Sequence, residues 1–70
     1  MLGTELKKLR LERNMSQADL SKITGIPQTS ISDVEQNKYI PKVTICLSLA
    51  NALGVELKHL LDSIEMPDAS

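Results

Sequence analysis

The 70-residue sequence predicts an all-α fold, a compact bundle of five helices. Three observations carry that prediction. Apolar residues recur three and four apart through most of the chain, the spacing that lays one stripe along a helix face. Residues that start or stop helices separate these stretches: Asn14 with Ser16, Gly25, Asn37 with Pro41, and Gly54. No segment reads as a strand, an internal repeat or a low-complexity run.

Leu2, Leu6 and Leu9 mark one stripe of a first helix over about residues 3–13. Asn14 follows, a residue that tolerates the left-handed conformation ending a helix. Ser16 is a strong N-cap, Asp19 completes a short-armed capping box, and Met15 with Leu20 fits the apolar staple. The second helix spans about residues 17–24, with Leu20 and Ile23 turned inward. Gly25 suits a sharp turn. Ile31 and Val34 bury a third helix over about 28–36, and Asn37 takes its left-handed C-terminal position. Pro41, in the loop 37–42, marks the boundary before the next helix. Val43, Cys46, Leu47, Leu49, Ala50 and Leu53 fill much of the fourth helix, and Gly54 stops it. Leu57, Leu60, Leu61 and Ile64 mark a fifth, about 56–64. Residues 1–64 therefore read as one domain and 65–70 as a polar C-terminal tail.

Composition narrows the function. With no Trp or Phe, and Tyr39 the sole aromatic, the core must be aliphatic. The single Cys46 cannot form an internal disulfide, lies on the packed stripe of its helix, and reads as a small core residue. No Cys/His set has zinc spacing, no apolar run approaches a membrane span, and no signal peptide is visible; a cytoplasmic protein without metal or cofactor is expected. His59 is read as a surface residue. One His and one buried Cys offer no acid–base or nucleophilic cluster, so an enzyme is not expected. The net charge is −1, unevenly spread. Residues 1–42 hold Lys7, Lys8, Arg10, Arg13, Lys22, Lys38 and Lys42 against Glu5, Glu12, Asp19, Asp33 and Glu35, a net +2. Residues 43–70 hold Lys58 against Glu56, Asp62, Glu65 and Asp68, a net −3. The basic side points toward the N-terminal part.

That part holds the most informative stretch, Ser16 to Gln36. Two short amphipathic helices flank Gly25-Ile26-Pro27, a turn too short for antiparallel packing. They must cross steeply, so the outer face of the second projects from the body. That face reads Gln28, Thr29, Ser32, Asp33 and Gln36, all able to hydrogen-bond and none large and apolar. The commonest use of such a pair is to lay the second helix in a DNA groove. Thr29, Ser32 and Asp33 face outward as candidate contacts, while Gln36 at the far end reads as solvated. Asn37, Lys38 and Tyr39 follow in a loop that would run beside the sugar-phosphate backbone, where amides and cations position without reading sequence. Tyr39 either bonds a phosphate or covers the aliphatic core, and Lys42 belongs to the solvated surface.

The order and spacing of these pieces resemble a family. Leu6-Lys7-Lys8-Leu9-Arg10, Met15-Ser16-Gln17-Ala18-Asp19-Leu20 and Thr24-Gly25-Ile26 carry the likeness. So do Ile31-Ser32-Asp33-Val34-Glu35, Asn37-Lys38, Pro41 and Leu49-Ala50-Asn51-Ala52-Leu53-Gly54-Val55. Together they resemble the Cro/CI-type helix-turn-helix domain of the lambdoid phage repressors and of the xenobiotic-response-element family of bacterial regulators. Departures are Ser21 for the usual alanine, Pro27 for a Ser/Thr cap, Asn37 for a frequent glycine, Lys42 for a capping Ser, and the acid Asp33 on the outward face.

The resemblance implies a lambda-repressor-like fold and roles for particular residues. Gln17 would touch phosphate and support Gln28, which would read adenine through its bidentate amide. Arg10 and Glu35 would form a structural salt bridge tying the first helix to the end of the third. The function implied is sequence-specific binding of double-stranded DNA by a transcriptional regulator, a repressor acting by operator occupancy. A homodimer would place two reading helices about 34 Å apart on a palindromic operator. Leu57, Leu61 and Ile64 supply more apolar surface than capping so small a core requires and are assigned to the dimer interface. The alternative is an antitoxin or bridging protein that uses the same fold mainly for protein–protein interaction, a reading the acidic C-terminal segment favours.

Overall fold

The first, third and fourth helices each bury a narrow arc of residues about one turn apart, and the second and fifth each bury one side chain, Leu20 and Leu60. The computed structural model describes residues 1–64, so the polar tail 65–70 lies outside the described residues. The elements are α1 (Leu2–Glu12), α2 (Gln17–Thr24), α3 (Gln28–Glu35), α4 (Val43–Leu53) and α5 (Leu57–Asp62), with no strand among the described residues. The predicted all-α class and the five helices are as expected. The first and fifth are slightly displaced or shortened at their ends, where terminal turns fray.

The arc of α1 is Leu2, Gly3, Leu6, Leu9 and Arg10, and that of α4 is Cys46, Leu49, Ala50 and Leu53. Both follow the 3.6-residue repeat. α1 packs on α3 and α5, α2 on α3 and α4, and α4 on α5. Leu6, Leu20, Ile31, Leu49, Leu53 and Leu60 meet at the centre, fully buried. Each such side chain stabilises the fold by about 1.5–3 kcal/mol of transfer free energy.

Local signals set the boundaries. Asn14 (φ 54°) and Asn37 (φ 59°) both adopt the left-handed conformation. Behind them the chain closes α1 through Met15 N–H to Arg10 C=O at 3.1 Å, and α3 through Lys38 N–H to Asp33 C=O at 3.0 Å. These are the six-to-one bonds that satisfy the last carbonyls of a helix. Ser16 Oγ accepts from Asp19 N–H at 3.0 Å while Ser16 N–H donates to Asp19 Oδ2 at 2.9 Å, the predicted capping box. Pro27 and Lys42 supply no side-chain cap, in keeping with their departure from the usual capping residues.

Three apolar side chains expected inside are not. Ile23 is 61% exposed. The inward side of α2 runs through Gln17, Leu20, Ser21 and Thr24, which leaves Ile23 about 100° off it. Val43 (59% exposed) and Leu47 (45%) likewise lie beside the α4 arc. Cys46 is buried as expected; burial pushes its thiol pKa up, and it makes a weak contact of 3.8 Å with the Pro41 carbonyl.

Candidate nucleic-acid interface

A buried ion pair anchors the region. Arg10 Nε donates to Glu35 Oε2 at 2.7 Å and Nη2 to Glu35 Oε1 at 3.0 Å, with the two residues only 7% and 8% exposed. The remaining fork nitrogen, Nη1, donates to the Met15 carbonyl at 2.7 Å. The carboxylate beside it raises the Arg10 pKa further. The predicted bridge is therefore present, and it ties α1 both to the end of α3 and to the entry of α2.

Gln17 joins this network. Its Nε2 donates to Glu35 Oε1 at 3.1 Å, and no hydrogen bond joins it to Gln28. The pairing of the two glutamines implied by the resemblance is thus not formed in the free protein. A carboxylate is the stronger acceptor, and it takes the amide that a neutral partner would share. Gln28 is left exposed at the start of α3.

The turn between the helices is closed by hydroxyls that sequence patterns do not single out. Ser21 Oγ donates to the Ile26 carbonyl. Thr24 Oγ1 donates to Leu20 C=O at 2.8 Å and accepts from Ile26 N–H at 3.2 Å. With Gly25 left-handed (φ 76°), these bonds satisfy the backbone of a turn that has too few residues to satisfy itself. The only signal for them in the sequence is their small hydroxyl type at helix ends.

On α3, Ile31 and Val34 face the core, and the opposite side carries Gln28, Thr29, Ser32, Asp33 and Gln36. Successive 100° steps put Gln28 on the flank nearest α2 and Asp33 on the flank nearest the following loop, with Thr29, Ser32 and Gln36 between them. Gln36 Nε2 donates to Ser32 Oγ at 2.9 Å. Lys38 Nζ lies 3.4 Å from Asp33 Oδ1, both exposed, so the acid on the outward face is partly balanced by the first cation of the loop. Such an exposed pair stabilises by less than about 1 kcal/mol and yields readily to a phosphate.

Asn37 is engaged elsewhere: its Oδ1 accepts the Gly3 N–H at 2.9 Å. Tyr39 lines a cleft of about 300 Å³ beside the turn, together with Ile26, Pro27, Ser30, Ile31 and Ile45. It is about half exposed, so both roles foreseen for it stay open. At the other end of the molecule His59 Nε2 lies 2.8 Å from Glu5 Oε2, linking α5 to α1; this bond holds the Glu5 carboxyl below its usual pKa.

The residues assigned to dimerisation divide. Leu57 and Ile64 are partly buried against the protein's own core, whereas Leu61 is at the exposed margin. Several other apolar side chains are more open, among them Ile23, Leu11, Ile40 (61%), Val43 and Leu47, of which the last two stand one turn apart on α4. Once the fifth helix folds back onto α1 and α4, it covers two of the three side chains the sequence offered.

Residues 6–60 match the family described as helix-turn-helix. The chain is 25% identical over 60 residues to the immunity repressor protein of Bacillus phage phi105, covering 86% of this chain and 42% of that protein. It is 34% identical over 53 residues to multiprotein-bridging factor 1c of Arabidopsis thaliana, covering 76% of this chain and 36% of that protein. The chain thus spans less than half the length of these curated relatives. Its fold superposes with a TM-score of 0.85 and 27% identity on the master regulator for biofilm formation SinR, solved in complex with DNA, covering 89% of this chain and 100% of that one. With residues 6–60 matched to the family and the fold shared, the chain belongs to the helix-turn-helix family of the Cro/CI type.

Proposed function

We propose that the protein is a sequence-specific binder of double-stranded DNA that regulates transcription, and that it represses by occupying an operator. The observation that carries this is the outward side of α3. Its side chains are all able to hydrogen-bond, and the angle of the helix is held by the buried Arg10–Glu35 pair with Gln17. Gln28, Thr29, Ser32 and Asp33 would meet base edges. Gln28 suits adenine, and Asp33 suits the amino group of cytosine. Lys38 and loop amides would meet phosphates.

One such domain covers a half-site, and a net charge of −1 gives little non-specific affinity. We therefore infer a cytoplasmic homodimer on a palindromic operator. Its symmetric contact would involve Leu61 or the open side chains Ile40, Val43 and Leu47. The test is selection of bound duplexes from random DNA at a stated salt concentration. A two-fold site, bound with steep salt dependence, supports the reading; no enriched site refutes it.

The second reading, a bridging protein working through protein contacts, draws support from those same apolar side chains and from the likeness to a multiprotein-bridging factor. Absence of salt-sensitive DNA binding together with a stoichiometric co-purifying protein would favour it.

A further inference from the structure

The first turn of α1 abuts the end of α3. Gly3 is buried there, and a Cβ at this position would overlap the Val34 carbonyl oxygen. It would also come within 2.8 Å of the Glu35 carbonyl oxygen and 2.6 Å of Asn37 Oδ1. Glycine in a helix costs about 0.5–1 kcal/mol against alanine, so its presence needs a reason, and the close approach is one. The approach brings the Gly3 N–H onto Asn37 Oδ1 at 2.9 Å, across 34 residues of sequence. α1 has no side-chain cap of its own at Met1, so Asn37 caps it from outside. The same residue closes α3, left-handed at φ 59° with its N–H on Val34 C=O at 2.9 Å.

We propose that the Gly3–Asn37 contact is a latch that orients the loop 37–42 for phosphate, which makes Asn37 and Gly3 positioning residues and not DNA contacts. This rests on the DNA-binding reading above. The loop leaves α3 at Asn37, and Lys38 follows at once, with its N–H bonded back to Asp33 C=O. The direction of that exit decides where the Lys38 ammonium and the next amides stand. The backbone bonds of Asn37 fix its own conformation, while the side-chain bond to Gly3 fixes that conformation relative to the body of the domain. Without it, the fraction of molecules with the loop correctly placed falls, and apparent affinity falls with that fraction.

Two substitutions isolate the latch. Asn37→Gly keeps a residue suited to positive φ but removes the acceptor. Gly3→Ala forces α1 away from α3 while leaving the Asn37 amide in place. With the full chain and a selected operator, each should weaken binding about three- to tenfold, the range of one hydrogen bond. The double variant should be no weaker than the weaker single. The salt slope should stay unchanged, because the bound complex still makes every phosphate contact, whereas a lost cationic contact would lower it by about 0.9 per phosphate. Discrimination at the base read by Gln28 should persist. Weakening by Asn37→Gly alone, with Gly3→Ala folded and binding normally, would overturn the proposal and make Asn37 a DNA contact. If Gly3→Ala does not fold, amide exchange and chemical shifts of Asn37→Gly decide. Loss of Gly3 N–H protection with displaced Lys38 and Tyr39 amides supports the latch; unchanged Lys38 and Tyr39 amides overturn it. This last measurement needs no DNA, so it separates failure of the latch from failure of the DNA-binding reading.

Discussion

Replacing Glu35 by Gln should unfold the helix pair more readily than any surface change in the molecule. The substitution conserves shape but removes the charge that Arg10 faces through two bonds of 2.7 and 3.0 Å. Both residues are more than nine-tenths buried, so water cannot take over the guanidinium. Leaving one buried charge without its partner costs about 3–5 kcal/mol. A domain this small lies at the low end of the usual range, about 5–15 kcal/mol of total stability, so most of it would be lost. About 3 kcal/mol corresponds to a fall of about 12–24 °C in the unfolding midpoint. Arg10→Met should do comparable damage from the other side, leaving the Glu35 carboxylate with only Gln17 as its side-chain partner. The double variant has no orphaned charge and should recover about 1–3 kcal/mol relative to the sum of the singles. Denaturant unfolding followed by circular dichroism measures all four corners of the cycle. Strict additivity would refute the idea that the two residues act as one unit.

Other outcomes follow from the same geometry. Gln28→Ala should weaken the preferred site by about 1–3 kcal/mol while sparing random DNA; equal losses on both would reassign Gln28 to backbone positioning. Leu47→Glu, on an already exposed side chain, should leave the melting temperature nearly unchanged but reduce cooperative binding to a full operator relative to a half-site. Unchanged cooperativity would move the dimer contact to Leu61. Ile64→Asp, in contrast, should destabilise the monomer, because Ile64 packs on the core. The Ser16 backbone N–H, and then its hydroxyl, hold the Asp19 carboxyl below its ordinary value of 3.8. The stability it contributes is therefore full above that value and is lost as pH falls through the lower folded-state value. Asp19→Asn should flatten this acid limb in a titration of unfolding, and an unaltered limb would show that the capping box carries none of it.

Helix boundaries set over four or five residues are legible in the chain alone, although the Ser21 and Thr24 hydroxyl bonds of the same reach are not. Asn14, Ser16 with Asp19, Gly25, Asn37 and Gly54 end or begin helices through bonds that their own side chains or backbone make nearby, so the boundaries can be read directly. The Arg10–Glu35 bridge is legible only through the likeness to a family, since 25 residues separate its ends. Packing between helices decides the rest. An apolar residue is buried only if its arc meets another helix, and periodicity cannot choose between neighbouring arcs of a short helix. Hence Ile23, Val43 and Leu47 lie outside the core that their spacing predicts, while Leu20 and Leu53 lie within it. The same holds for polar partners. Gln17 could serve Gln28 or Glu35, and Asn37 could serve a phosphate or Gly3; what lies across the gap is set by how α1 and α2 dock on α3. Local chemistry states what a side chain can bond, and only the docking of helices brings the partner within about 3 Å of it.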